Sequence, residues 1–194
     1  MEMDNKKIAA EFLGSMMIVM IALGSGGDAM FTGLVLAIML MVFAGAEILP
    51  MMTIGNMATG RTDPQQGALN FVMQILGATV ATAVMGWRAG GSLGDMTWAA
   101  GGSMDATALV GAIIGGFMLG VVWDRCGGGS WQTGIMVWAL GAGGMVISSA
   151  GEMGSMVVTS GWDSATLVLG TMICGAVGVA LSNMLGEKFL FEEE

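Results

Sequence analysis

Six long apolar stretches run along the chain, separated by short polar or glycine-rich links. A helix that crosses a bilayer needs about 20 residues, within a range of about 17–25. The links contain turn and breaker residues such as Gly24-Ser25-Gly26-Gly27-Asp28 and Thr62-Asp63-Pro64. The pattern predicts an all-α membrane protein with one transmembrane domain over 1–194. Its six predicted spans are 8–23, 29–46, 67–87, 106–123, 131–149 and 165–185.

The amino-acid composition is typical of a protein embedded in a membrane. Apolar residues make up 55%, charged residues only 11%, and the mean hydropathy is +0.77, whereas soluble domains carry about 25% charge. The 34 glycines follow no collagen-like period. Gly111 with Gly115, and Gly116 with Gly120, have the four-residue spacing that lets membrane helices approach closely. The net charge of −9, without a basic patch, excludes a nucleic-acid partner.

Catalytic and metal-binding side chains are sparse. The chain has no His, and its two cysteines, Cys126 and Cys174, form no CxxC pair, so we expect no metal site or cofactor. No Ser/His/Asp set or phosphate-binding loop is present, so nothing in the sequence points to an enzyme. The 22 methionines could form a thioether path for copper, but flexible apolar filling of the helix bundle is the favoured interpretation.

Basic residues predict the orientation in the cell membrane. A signal peptide after Lys6 and Lys7 is the competing interpretation, but Glu11 and five further apolar stretches argue against it. With both termini in the cytoplasm, five of the six basic residues lie inside and only Arg88 lies outside. The acidic tail, 188–194, is then cytoplasmic.

A weak internal repeat divides the chain into two halves, 8–88 and 104–187. Residues 45–51 (GAEILPM) resemble 150–156 (AGEMGSM), and 75–78 (ILGA) resemble 173–176 (ICGA). Each copy of the first motif precedes a short apolar stretch, 53–60 or 157–161, that cannot span a membrane alone. Two spans, a re-entrant half-helix and a third span per half predict an inverted repeat.

These motifs resemble the major intrinsic protein family, the aquaporins and glycerol facilitators. Residues 10–14 (AEFLG) are similar to the start of the family's first helix, and 45–53 (GAEILPMMT) to its Gly-Ala-His-Leu-Asn-Pro-Ala-Val-Thr loop. Gln74 begins a QILGA stretch like that of the family's third helix. The resemblance implies six spans, two re-entrant half-helices, a passive pore and a homo-tetramer.

The family's Asn-Pro-Ala signature is altered in both halves. Leu49-Pro50-Met51 and Gly154-Ser155-Met156 stand in its place, and the resemblance implies that these residues line the pore. By the same resemblance, the outer constriction consists of Ala29, Ala142, Gly151 and Val157, with Val157 where the family has Arg. The Glu of the family's fourth helix is replaced by Gly116.

Three glutamates are candidates for a role in the pore. The resemblance implies that Glu11 holds the re-entrant loop by accepting hydrogen bonds from its backbone. Glu47 and Glu152 both precede a predicted half-helix. They either cap the half-helices, where the positive end of a helix favours a carboxylate, or attract cations in the two vestibules.

The sequence therefore predicts an aquaporin-like channel for passive permeation of water or a small neutral solute across a lipid bilayer. One alternative is a cation or ammonium pathway that uses Glu47 and Glu152. Another is a non-conducting structural membrane protein whose pore is plugged by methionine.

Overall fold

The computed structural model describes residues 4–90, 104–128, 131–145, 150–159 and 162–186. The predicted tail at 188–194 lies outside these ranges. Within them the chain is helical, and the half-helices α3 and α7 have only 9 and 10 residues. The helices are α1 (Asn5–Gly24), α2 (Ala29–Val42), α3 (Pro50–Ala58), α4 (Pro64–Arg88), α5 (Ala106–Arg125), α6 (Trp131–Ala142), α7 (Ala150–Thr159) and α8 (Ala165–Leu185).

Four of these helices, α1, α4, α5 and α8, are long and apolar enough to cross a membrane. Helices α2 and α6 have 14 and 12 residues, so the predicted spans 29–46 and 131–149 were too long. Both helices end just before a glycine in the left-handed region, Gly45 at φ +89° and Gly144 at φ +73°. Glycine adopts this conformation without a steric penalty, so the chain turns there. The predicted end of the fifth span, 146–149, lies outside the described residues.

Aspartate side chains cap the N-termini of four helices. The Oδ1 atom of each accepts hydrogen bonds from backbone N–H groups of the following first turn, which would otherwise lack a partner. Four of the chain's 15 acidic residues therefore stabilise helix N-termini, a role that was not predicted from the sequence. The four residues are Asp4, Asp28, Asp63 and Asp105.

The two halves interlock. Helix α1 packs on α4, α5 on α8, and α2 on α6, while each half-helix packs against the last helix of the other half, α3 on α8 and α7 on α4. The matching glycines of the repeat make matching contacts, because Gly77 adjoins the backbone of Phe12 and Gly175 adjoins the backbone of Gly116. These paired contacts between the two halves agree with the predicted inverted repeat. The exact repeat boundaries, 8–88 and 104–187, stay predictions.

Close glycine packing holds for Gly116 and Gly120 but not for Gly111. A Cβ added at Gly116 or Gly120 would strike Gly175 or Ser182 of α8. Among the described residues, nothing lies within 4 Å of a Cβ added at Gly111, so the prediction that Gly111 mediates a helix contact was wrong. Spacing alone does not show which face of a helix meets a neighbour.

Candidate functional site

The first re-entrant turn, residues 47–49, is held by one face of α1. Glu11, which is fully buried, accepts hydrogen bonds from the backbone N–H of Glu47 (2.7 Å, Oε1) and of Ile48 (2.6 Å, Oε2). Ser15 Oγ donates to the carbonyl oxygen of Ile48 at 3.1 Å. Since residues four apart share a helix face, α1 presents one acceptor group and one donor to the same turn.

Ile48 has the left-handed backbone conformation, φ +62°, which is rare for a β-branched residue. A Cβ added at Gly14 would lie 2.8 Å from Ile48 Cδ1, so the glycine leaves room for the isoleucine side chain. Such a conformation persists only where its surroundings enforce it. Here one face of α1 holds the Ile48 backbone in place, through hydrogen bonds with Glu11 and Ser15 and the space left by Gly14.

Gln74 of α4 extends this support to the half-helix α3. Its Nε2 donates to Glu11 Oε2 at 2.8 Å and to Thr53 Oγ1 at 2.9 Å. All three side chains are fully buried. Helices α1, α3 and α4 thus share one hydrogen-bond network. In the sequence, both Gln74 and Thr53 stood out only as members of motifs that resemble the family, and nothing indicated that they contact each other.

The two half-helices begin differently. Pro50 is the first residue of α3, after Leu49, whose side chain makes no capping hydrogen bond. Proline lacks an N–H and has a preset φ, so it starts a helix and resists extension toward the N-terminus. Ser155 stands in the matching place, and α7 begins five residues earlier, at Ala150. The predicted half-helix at 157–161 therefore began too late, and Gly154, Ser155 and Met156 lie inside α7.

The methionines at the start of α3 are packed. Met51 and Met52 are fully buried, and Met51 Sδ lies 2.8 Å from the position of a Cβ added at Gly175. The thioether of Met51 therefore lies against α8 of the other half. Met156 is also buried, within α7.

Glu47 does not cap its half-helix. Its Oε1 accepts from Asn56 Nδ2 at 3.0 Å and from Thr62 Oγ1 at 2.6 Å, near the far end of α3. The capping hypothesis was therefore wrong for Glu47, because the turn at 47–49 points its side chain along α3 rather than at the helix start. Glu152 lies in the first turn of α7, not before it, where the positive end of the helix favours a carboxylate.

The four predicted constriction residues lie on three helices. Ala29 begins α2 and Ala142 ends α6. These helix ends meet, since a Cβ added at Gly141 would lie 2.9 Å from Ala29 Cβ. Gly151 and Val157 lie on α7, with Gly151 buried and Val157 46% exposed. That these four side chains surround one pore stays a prediction.

A set of polar contacts joins the halves at the far end of α3, and the sequence offered no signal for it because the partners are distant in the chain. Asn183 Nδ2 of α8 donates to Asn56 Oδ1 at 3.1 Å and to Thr59 Oγ1 at 2.9 Å. Arg61 pairs with Asp124 of α5 and donates to the Asn183 carbonyl oxygen. In the described part of the chain, no three Cys, Asp or Glu side chains group closely enough to hold a metal ion.

The chain is similar to the X-ray structure of the aquaglyceroporin from Plasmodium falciparum, with a TM-score of 0.77 over 95% of this chain and 96% of that chain. The fold is aquaporin-like. Sequence identity is 17%, so the likeness establishes the fold alone, and at that level it confirms the predicted resemblance. No protein-family model matches the sequence, and no curated protein matches it either.

Proposed function

We propose that this aquaporin-like protein is an integral membrane channel that passes water or a small neutral solute passively. The observation that carries the proposal is the interlocked pair of half-helices, each packed on the last helix of the other half. Non-helical backbone such as 43–49 is tolerated at membrane depth only where protein covers it or a cavity adjoins it. The network around Glu11 provides that cover on one side.

The proposed pore runs between the start of α3 and the middle of α7. Leu49, Pro50 and Met51 line it from the first half, and Gly154, Ser155 and Met156 from the second half. None of these six residues carries a carboxamide side chain, so the proposed pore lining lacks the pair of donors and acceptors that two asparagines would supply. An apolar centre of this kind favours neutral solutes over ions, because a neutral molecule loses less hydration free energy on entry.

The environment of Glu47 argues against the alternative of a cation pathway. Its side chain is only 4% exposed, and Lys7 Nζ lies 4.0 Å from its Oε1. The lysine charge offsets the carboxylate charge, so this site attracts cations less than an isolated buried carboxylate would. The other alternative, a pore plugged by methionine, draws support from the burial of Met51 and Met52.

Purified protein in liposomes tests these three functions directly. We expect faster osmotic swelling than in empty liposomes for water, urea or glycerol, with no ionic current across a planar bilayer. A cation pathway would instead give current, and a plugged protein would give neither swelling nor current. We further propose a homo-tetramer in the cell membrane with both termini cytoplasmic, which crosslinking and reporter fusions can examine.

A further inference from the structure

Gly175 of α8 leaves room for a side chain of the other half. A Cβ added at Gly175 would lie 2.8 Å from Met51 Sδ and 3.5 Å from Met51 Cβ. The nearest backbone atom of another helix, the carbonyl oxygen of Ala112, would lie at 3.8 Å, which is an ordinary van der Waals distance. Among the described residues, the crowded neighbour of this position is therefore the end of the Met51 side chain.

The matching glycine of the first half has a different neighbour. Gly77 holds the same place in its ILGA motif as Gly175 holds in ICGA, but a Cβ added at Gly77 would lie 2.3 Å from the carbonyl oxygen of Phe12. A methyl group at Gly77 would push two helix backbones apart. At Gly175 it would displace only the end of a flexible, unbranched side chain. Gly77 thus packs helices, whereas Gly175 provides a slot for a methionine.

Helix α3 itself has little room to move away from this slot or toward it. Met51 and Gly55 are four residues apart and share the face of α3 that meets α8. A Cβ added at Gly55 would lie 3.0 Å from the carbonyl oxygen of Ala176, so the two backbones already approach closely one turn after Met51. When the space at Gly175 is filled, the Met51 thioether must therefore move rather than the helix.

We propose that Gly175 is a positioning residue for the pore, because the slot that it leaves on α8 holds the Met51 thioether at the side of the passage. The inference rests on the proposed channel function, in which Met51 lines the pore. Filling the slot drives the thioether away from α8 and into the passage. A shift of about 1 Å restores ordinary contact, and pore diameter controls which small solutes pass. Gly175 therefore sets the width of the passage beside the start of α3.

Gly175→Ala tests this assignment in liposomes that carry the purified protein. We expect glycerol flux to fall about tenfold relative to water flux, the lower end of the effect that one methylene has in a close-fitting site. Alanine is a better helix former than glycine, so the melting temperature should not fall. Adding Met51→Ala to Gly175→Ala removes the displaced thioether and should restore glycerol flux to the level of Met51→Ala alone.

Two matched controls make the same chemical changes elsewhere. Gly111→Ala adds a methyl group to α5 where no described residue lies within 4 Å, so it should leave the ratio of glycerol flux to water flux unchanged. Met52→Ala truncates the next residue of α3, which is also fully buried. It should not restore glycerol flux to the Gly175→Ala protein, so that rescue identifies the Met51 thioether.

The outcomes separate this inference from the proposed function. A wild-type protein that moves neither water nor glycerol overturns the channel and this inference with it. A conducting wild type whose flux ratio Gly175→Ala leaves unchanged overturns the inference alone. Glycerol flux that stays low after Met51→Ala is added also overturns it, because Gly175→Ala would then act through helix packing.

A second comparison applies if the melting temperature shows that Gly175→Ala is misfolded. Met51→Ala alone removes the thioether beside the passage and should raise the ratio of glycerol flux to water flux, whereas Met52→Ala should not. Equal ratios in the wild type and in Met51→Ala would overturn the inference.

Discussion

At the residue scale, the turn at 47 and 48 depends on one carboxylate. Both oxygens of Glu11 are engaged, each by a different backbone N–H. A buried backbone donor without a partner is costly, and no water is available in a bilayer core to replace one. The carboxylate therefore does what no other side chain of similar size can do, since it offers two acceptors and no donor.

The loss of unfolding free energy caused by a substitution at Glu11 should increase with the number of acceptors that it removes. Glu11→Gln keeps one acceptor and turns a donor toward the other N–H, which should cost about 1–3 kcal/mol of unfolding free energy. Glu11→Leu strips both N–H groups and should cost roughly twice as much. Thermal melting in detergent, with Asp28→Asn as the control, measures this order. Equal melting temperatures for the two Glu11 variants would contradict the anchoring role.

Val157 provides a separate test at the residue scale. If it lines the outer constriction, Val157→Arg narrows the pore and should reduce glycerol flux more strongly than water flux. Val157→Leu, which adds bulk without a charge or a long side chain, serves as the control and should have a smaller effect. Swelling assays with both solutes compare the variants. Glycerol flux that is the same in all three proteins would place Val157 outside the pore.

At the element scale, the half-helices are held by backbone-to-backbone approach. A Cβ added at Gly154 of α7 would lie 2.6 Å from the backbone carbon of Ala78 on α4. In the other half-helix, a Cβ added at Gly55 of α3 would lie 2.6 Å from the Val179 side chain and 3.0 Å from the carbonyl oxygen of Ala176, both on α8. In a membrane, where apolar burial does not drive helices together, such close contacts supply the packing.

Gly154→Ala should therefore push α7 away from α4, because a backbone atom cannot move aside as a flexible side chain can. The expected cost is about 1–3 kcal/mol, typical of overpacking. Gly111→Ala is the matched control, since the added methyl group meets open space and alanine favours a helix by about 1 kcal/mol. The melting temperature should fall for Gly154→Ala and rise for Gly111→Ala. A similar fall in the melting temperature of both variants would mean that the loss of glycine flexibility, and not the contact between α7 and α4, destabilises the protein.

At the scale of the whole molecule, the charge distribution predicts the orientation. Reporter fusions at residue 95 and at the C-terminus should report opposite sides of the membrane, with the C-terminus cytoplasmic, because five of six basic residues then lie inside. A fusion directly before Asn5 should match the C-terminal one. Reports from the same side at residue 95 and at the C-terminus would contradict a six-span arrangement.

The order and the approximate bounds of the long helices could be predicted from the apolar stretches of the sequence. Helix α8 covers Ala165–Leu185, the same range as its predicted span, because an unbroken apolar run of membrane length has few alternatives. The start of α7 was missed, since the alignment of Glu47 with Glu152 assumed equal half-helices. Proline at position 50 and serine at 155 make them unequal.

Sequence by itself determined the fold class, the six apolar segments and the inverted repeat, because hydrophobic length and repeated motifs are local properties of a chain. Only the tertiary structure decided the partners of the buried polar groups. Glu47 meets Asn56 and Thr62, and Asn56 in turn meets Asn183, 127 residues away. Pairing at such separations depends on which faces the helices turn toward each other, and that is settled by packing of the whole bundle rather than by any one segment.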